Sequence, residues 1–536
     1  MDKLPRSRTL GAVLGVCLAV VCLCLAGTGT VAAQSADIVV ATDGSGNYTT
    51  IQTAIDNAVQ NDRIEVRPGT YAESVEVDKD VTIVAPDGAT IAPPSGAVSA
   101  VTITDASEPQ LENLTITGNN RIGLDARSTT GAWTVTDLQI TGVDFGITAL
   151  SSTGEWVVDD TTIANVETRG ISADGSEGKW TINSSTIRDV SGIGLDAYRI
   201  EAGVIKNSKI TDVTQTGINL DDTGGDWVVE NVTVENVGAT GINAGDTNAT
   251  HAPVIRDTTV VGTSDEGIDI AGSKSNVLIT GTTVRNTGAG QFNNAIRIED
   301  SVGDWTIKNS TIANISGEGI DAYNQPESSQ ATIRNLTVTD TQNHGVNFYN
   351  SSGDWEIIDS QISDSDRKGV EAGDTTGDWI VSSTTVETTN HALIGASGAA
   401  GDWEVHESEL STGDIAINAT EAAKGNASYN YWGATDGPSG DFNGSGGAAV
   451  GNIAIMPYYI NSSLTMLSSE QNTGGEDFPE DPTQRALQIT GNSDPSDLTQ
   501  DDVTAVITRF NRGQSVKNID IKQDDVTATI TLFERN

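Results

Sequence analysis

The chain is poor in the residues that staple a fold or bind a metal. Its 536 residues include three cysteines, four histidines, three methionines and 13 prolines. Cys17, Cys22 and Cys24 all lie in one apolar run near the start. Without that run no thiol remains, which excludes disulfides and cysteine-based metal sites. His251, His344, His391 and His406 show no ligand spacing, so no metal site is expected. Basic residues are also scarce, 29 against 74 acidic ones, for a formal charge of −45. Such a charge repels nucleic acid and anionic lipid, and neither is an expected partner. No stretch after Ala26 is long and apolar enough to span a bilayer, so no transmembrane segment is expected beyond it.

The first residues have the make-up of an export signal. Lys3, Arg6 and Arg8 give a positive start, Leu10 to Ala26 form the apolar run, and Val31-Ala32-Ala33 supplies a small-residue cleavage site. The expectation is a leader over 1–33 and a secreted or cell-surface protein starting near Gln34. The leader holds three basic residues and one acidic, so the remainder carries −47. Molar salt, with a Debye length of about 3 Å, would screen that self-repulsion. The acidic, lysine-poor, Thr- and Gly-rich composition resembles that of haloarchaeal exported proteins, which implies a fold that depends on salt.

Aromatics are few, yet eight of the nine tryptophans share one register: Trp133, Trp156, Trp180, Trp227, Trp305, Trp355, Trp379 and Trp403. Copies without Trp fill the gaps from Gly203, Pro253, Val277 and Ala331, and one more begins at Pro109. Each copy reads W-x-[VI]-x-x-x-x-[IV], then Asn or Asp, then G-[IVL]-[DN]-[AL]. Trp305, for example, leads to Ile307, Ile312 and Asn314, then to Gly319-Ile320-Asp321-Ala322. Three short alternating apolar segments per copy predict three short strands that bury their faces only by stacking on neighbouring copies. The expected fold class is all-β, a right-handed parallel β-helix with coils of about 24 residues, plus a small α-helical C-terminal module. Thirteen copies at about 4.8 Å each give a column roughly 60 Å tall. A β-propeller would need blades of about 40–45 residues. Trp shares parity with the inward Val or Ile two residues on and is expected in the core; the alternative is an exposed stripe that stacks on sugars. Asn165, Asp189, Asp212, Asn236, Asn286, Asn314, Asp340 and Asp364 share a position just after the second strand and are expected to form a side-chain ladder.

The ends differ from the repeats. Thr49 to Val59 places Ile51, Ile55 and Val59 at helical spacing, which suits a cap over the lower end of the column. Asp43-Gly44-Ser45-Gly46-Asn47-Tyr48-Thr49-Thr50-Ile51-Gln52, with Arg67-Pro68-Gly69-Thr70-Tyr71-Ala72-Glu73, closely resembles the opening of pectinesterases and related β-helix proteins. The pectinesterase catalytic strings QDT, DFIFG and LGRPW do not follow, so the resemblance implies scaffold and not ester hydrolysis. Asn430-Tyr431-Trp432-Gly433 with Asp436-Gly437-Pro438 is similar to the closing motif of many bacterial and archaeal β-helix proteins, among them the one involved in copper maturation of nitrous-oxide reductase. A copper role has little support from four scattered His, Met456 and Met466. Asp501-Asp502-Val503-Thr504-Ala505 recurs as Asp524-Asp525-Val526-Thr527-Ala528. Leu498, Val503, Val506, Ile507 and Phe510 fit one helical face, and Val526, Ile530 and Phe533 repeat it. The duplicated pair resembles dockerin-type modules but lacks their calcium loop. The expected organisation is leader 1–33, capping helix and first coils 34–100, repeats with terminal cap 101–467, linker 468–484 and helical module 485–536, the last a candidate docking site for a protein partner.

The third strand carries the candidate site. Asp125, Thr148, Ser172, Asp196, Asn219, Asn243, Asp269, Arg297, Asp321, Asn347 and Glu371 form an outward column, with Tyr198, Asp221, Glu299, Tyr323 and Tyr349 two residues on. An acidic face with aromatic rings suits an extracellular polysaccharide or cell-surface glycan: carboxylates bond hydroxyls and rings stack on sugars. Arg297 falls between Asp269 and Asp321, which would lie roughly 9.6 Å apart, near the span used by inverting glycosidases. The candidate catalytic residues are therefore Asp269, Arg297, Glu299 and Asp321, and the candidate substrate-binding residues Asp196, Tyr198, Tyr323, Asn347 and Tyr349. The preferred reading is a non-catalytic protein that binds glycans or partners through this face. The alternatives are a polysaccharide lyase or glycoside hydrolase acting on uronate-containing glycans and, third, the copper-maturation role. No cofactor is required, and calcium, which acids hold in β-helix lyases, is the one candidate.

Overall fold

A computed structural model describes residues 38–104, 108–248, 252–288, 293–388, 391–411 and 415–468, with 487, 490, 499–511, 515–516, 519–520 and 523–534 beyond them. The leader, the linker past 468 and Leu498 lie outside the described residues.

The repeats build a parallel β-solenoid of about 17 turns. First strands stack Trp133 on Trp156 and Trp156 on Trp180. Second strands stack Ile163 on Ile187, and third strands stack Asp196 on Asn219. The solenoid extends past the thirteen copies at both ends: Ile38 pairs with Ile64 and Ile64 with Ile83 below, and Gly425 pairs with Ile453 above. Inward Ile, Val and Leu from all three strands form one continuous core.

The repeated Asn and Asp residues have a conformational cause. Asn165, Asp189, Asp212, Asn236, Asn286, Asn314, Asp340 and Asp364 all have φ between 52° and 57°, the left-handed region that Asn and Asp tolerate best after Gly. They also form the expected ladder in places, Asn236 Nδ2 donating to Asp212 Oδ1 (3.0 Å) and Asn314 Nδ2 to Asn286 Oδ1 (2.8 Å). A second ladder at the first corner was not anticipated: Asn207, Asn231, Asn309 and Asn335 are left-handed too, and Asn231 Nδ2 donates to Asn207 Oδ1 (2.9 Å).

All eight tryptophans of the register are at most 4% exposed, which overturns the sugar-stacking stripe. Trp133, Trp156 and Trp180 stack at centroid spacings of 5.1 and 5.2 Å, and Trp355, Trp379 and Trp403 at 4.7 and 5.1 Å. Where Ala331 replaces Trp, Phe348 fills the space, stacked 5.9 Å from Trp305 and 4.2 Å from Trp355.

The lower cap is helix α1 (Ile51–Asn57), shorter than the Thr49–Val59 expectation. Ile51 and Ile55 are buried but Val59 is 67% exposed, because the helix ends at Ala58. Glu73 accepts from the Ile51 and Gln52 backbone N–H groups (2.8 and 3.0 Å), satisfying two of the free donors at the helix start. At the other end Trp432 is fully buried, and Asn430 Nδ2 ties the Val405 and Ala427 carbonyls together (2.6 and 2.9 Å). Helices α2 (Gln500–Asn511) and α3 (Gln523–Glu534) form the C-terminal pair and pack on each other. Val503, Val506 and Val526 are buried among their described side chains. No helix among the described residues is long and apolar enough to cross a membrane.

Candidate functional site

The third strands stack the predicted column in the register read from the sequence: Asp269 on Arg297, Arg297 on Asp321, Asp321 on Asn347 and Asn347 on Glu371. Its environment differs from the expected solvated face. Asp196, Asp321, Asn347 and Glu371 are all buried, at 5–8% exposure.

A second column, three residues earlier, supplies the other wall. It sits just before the Gly of G-[IVL]-[DN] and is joined by backbone hydrogen bonds between coils, such as Gly319 N to His344 O (3.0 Å) and Gly345 N to Lys368 O (3.0 Å). Lower copies hold Thr216 and Thr240 there; then come Glu266, Asn294, Glu318, His344 and Lys368. The sequence reading missed this column. Its signal was the change from hydroxyl to amide or titratable side chains in five consecutive copies.

Between the columns lies a cleft of about 640 Å³, lined by Glu266, Asn294, Arg297, Glu299, Glu318 and Asp321, and higher up by Asn343, His344, Asn347, Tyr349, Arg367 and Glu371. Of the nine predicted site residues, Arg297, Glu299, Asp321, Asn347 and Tyr349 line it. Tyr323 stacks on Tyr349 at 6.1 Å, both rings well exposed at the rim. Asp269 is not among the lining residues; Arg297 Nη1 holds it at 3.2 Å. Asp196 and Tyr198 lie coils below, where Asp196 pairs with Arg169 (2.8 Å) and the Tyr198 hydroxyl donates to Asp222 (3.2 Å).

The expected Asp269–Arg297–Asp321 bridge is half formed. Arg297 Nε donates to Glu299 (3.0 Å) and Nη1 to Asp269, while Asp321 takes its contacts from Asn294 and Asn347. Burial works against the Arg297 charge, but the hydrogen bonds and charges of Glu299 and Asp269 more than offset it. The guanidinium is thus a fixed cation and no base.

The reactive feature is Glu318 with Asp321. The two carboxyls share one donor, Asn347 Nδ2 (2.9 Å to Glu318 and 3.1 Å to Asp321), and both pKa values are pushed up. For Glu318 burial acts first, then the Asp321 charge; for Asp321 burial, then the Glu299 charge. Two carboxyls this close in a buried wall cannot both ionise readily, so they share a proton. Above them His344 is held neutral, its pKa pushed down to about 3 by burial and then by the Lys368 and Arg367 charges. Its Nδ1 accepts from the Lys368 backbone N–H (3.2 Å), which leaves Nε2–H facing Glu371 at 3.9 Å. Glu371 is held by the Lys368 ammonium and by the Gly373 N–H (2.9 Å). Among the described residues no group of three or more His, Cys, Asp and Glu is arranged to hold a metal ion.

Solved structures similar to this chain include the A-module of a mannuronan C-5 epimerase from Azotobacter vinelandii, 16% identical over 67% of this chain and 93% of that one, with a TM-score of 0.42. Another is the catalytic unit of a GH87 α-1,3-glucanase from Streptomyces thermodiastaticus, 16% identical over 73% and 69%, at 0.35. A third is an alginate lyase from Paenibacillus sp., 15% identical over 53% and 91%, at 0.27. Likeness at this level describes the shared coil alone. No curated protein sequence matches. The model of the right-handed β-helix region does match, over residues 95–226 and 216–390, and the chain belongs to that family.

Proposed function

We propose that the protein is an exported glycoside hydrolase acting on an extracellular polysaccharide, with Glu318 as general acid and Glu371 as general base. The buried Glu318–Asp321 pair carries this reading, because it keeps a carboxyl proton available at neutral pH beside an open cleft. A glycosidic oxygen leaves readily only once protonated, and Glu318 supplies that proton. Glu371 stands two coils above the coil of Glu318 and Asp321, about 9.6 Å along the axis, at the upper end of the span that leaves room for the water of inverting hydrolysis. The Lys368 ammonium holds its carboxyl group in place. Tyr323 and Tyr349 offer apolar surface at the rim for a sugar ring. These assignments replace the Asp269–Asp321 pair drawn from the sequence, since Asp269 is tied to Arg297 away from the cleft, and they favour an enzyme over the non-catalytic binder.

The test is a screen of neutral and uronate-containing polysaccharides in molar salt. New reducing ends without an ultraviolet-absorbing product, and inverted anomeric configuration by NMR, are expected. Glu318→Gln and Glu371→Gln should each lower kcat by about 10²–10⁴. An unsaturated, ultraviolet-absorbing product would make the protein a lyase, and glycan binding without cleavage would return it to the non-catalytic reading.

A further inference from the structure

We infer that Asn294, Asn343 and Asn347 are positioning residues, an amide clamp that decides which carboxyl of the Glu318–Asp321 pair carries the proton, leaving Asp321 charged and Glu318 the acid. The inference deepens the hydrolase reading and rests on it for its catalytic meaning.

The three asparagines come from the coils directly below and above the pair and reach all four carboxyl oxygens. Asp321 Oδ2 accepts from Asn294 Nδ2 (2.9 Å), and Oδ1 from Asn347 Nδ2 (3.1 Å) and the Tyr323 backbone N–H (3.3 Å). Glu318 Oε2 accepts from Asn347 Nδ2 (2.9 Å) and Oε1 from Asn343 Nδ2 (3.1 Å). Donors aimed at a carboxylate favour its charged form, and Asp321 has three against two for Glu318.

The orientation of the amides strengthens this asymmetry. Asn294 Oδ1 accepts the Glu318 backbone N–H (2.9 Å), so its Nδ2 must face Asp321. Asn347 Oδ1 likewise accepts the Tyr349 N–H (2.9 Å), which fixes its Nδ2 toward the pair. Neither amide can turn without setting its NH2 against a backbone N–H. Asn343 is different: its Oδ1 is buried and has no hydrogen-bond partner. This amide, which touches only Glu318 of the pair, can turn and offer Oδ1 to a Glu318 O–H. Both amides that touch Asp321 are therefore locked as donors, whereas the amide reserved for Glu318 can accept a proton donor.

The charged groups around the pair do not supply this distinction. The Glu299 charge weighs more on Asp321 than on Glu318 and so opposes it, Glu266 lies lower on the same wall, His344 is neutral, and Glu371 is matched by Lys368, with Arg367 at the wall.

Infrared titration of the full chain, with glutamate carboxyls carbon-13 labelled, tests the clamp without any substrate. The protonated-carboxyl band that persists above neutral pH should show the isotope shift and vanish in Glu318→Gln. Asn294→Leu should pass the proton to Asp321, so that the band loses its isotope shift, and should raise the lower titration of the pair by about one pH unit. Asn347→Leu, on the coil above the pair, should raise it similarly and covers the case in which Asn294→Leu does not fold. An unshifted band in the parent, or both Leu variants folded by circular dichroism and titrating like the parent, would overturn the clamp. Polysaccharide cleavage on the same samples separates the two ideas. The expected titration without cleavage sinks the hydrolase and supports the clamp, whereas cleavage with an unshifted band sinks the clamp alone.

Discussion

Gly203→Ala should destabilise the solenoid, although exchanging Gly for Ala in a strand ordinarily helps by about 0.5–1 kcal/mol. Gly203 occupies the Trp position of its coil and pairs with Trp180 beneath it. A Cβ there would lie 2.3 Å from Trp180 Cζ2 and 2.5 Å from Cε2, where ordinary contact begins at 3.4 Å. The ring must therefore move by roughly 1 Å. It is buried, and it stacks on Trp156 at 5.2 Å, itself 5.1 Å from Trp133. Overpacking of this kind costs about 1–3 kcal/mol. Stacked repeats need not melt in one step, so the measurement is hydrogen exchange of the coils around 180–206 alongside urea unfolding. Trp180→Leu makes room, and the cycle with Gly203→Ala should show a coupling of at least about 1 kcal/mol. A neutral Gly203→Ala that adds to Trp180→Leu within about 0.5 kcal/mol would refute the reasoning. Gly425 over Trp403, with a Cβ at 1.9 Å, repeats the experiment at the upper end.

Arg297→Ala leaves Asp269 and Glu299 without their shared cation; unfolding in denaturant should show a loss of about 1–3 kcal/mol, between the values for exposed and buried ion pairs. The pH dependence follows from the raised Glu318 and Asp321 pKa values: the folded state holds their proton more tightly than the unfolded one, so this contribution is full below the ordinary carboxylate range and is lost as pH rises from about 5. His344 acts oppositely, contributing above about pH 6.5 and losing that contribution as pH falls toward 3, so above pH 7 only the carboxyl effect remains. Melting temperature should therefore fall from pH 7 to 9 in the parent and change less in Glu318→Gln; a parent that rises over this range contradicts the pair. Lowering the salt should unfold the chain because its net charge is then unscreened, and a circular dichroism spectrum unchanged at low millimolar KCl would reject salt dependence.

The fold was legible because a solenoid converts repetition directly into position. Once Trp156, Trp180 and Trp355 are aligned, the inward Ile and the Asn or Asp after the second strand follow, and the third-strand column falls into register. Burial of that column was not legible. An Asp after an inward Ile reads as solvent-facing by strand alternation, but the amides of Asn294 and Asn347, from the coils below and above, cover Asp321. The second wall was missed for a related reason. Alignment on the repeated Gly and Ile treats the preceding residue as variable, so Glu318 and His344 looked like surface substitutions and only stacking shows them adjacent.

The same logic explains where a site can arise on such a scaffold. A column of identical carboxylates accumulates repulsion on each added coil, so function requires a local departure from the repeat. The window from Glu266 to Glu371 departs in both columns at once, with Arg297 entering one and Asn294, Glu318 and His344 the other. It departs in the core too. The coil that carries His344, Asn347 and Tyr349 has Ala331 where its neighbours have Trp, and Phe348, between Asn347 and Tyr349, restores the broken stack from the opposite strand. Placing the large ring on the third strand anchors the backbone of Asn347 itself, next to the carboxyls that its amide holds. Phe348→Ala should thus affect two properties that Trp355→Ala separates. Both should cost about 3–5 kcal/mol as large-to-small core changes, but only Phe348→Ala should also shift the titration of the Glu318–Asp321 pair. Equal titration in the two variants would mean that the ring fills space and positions nothing.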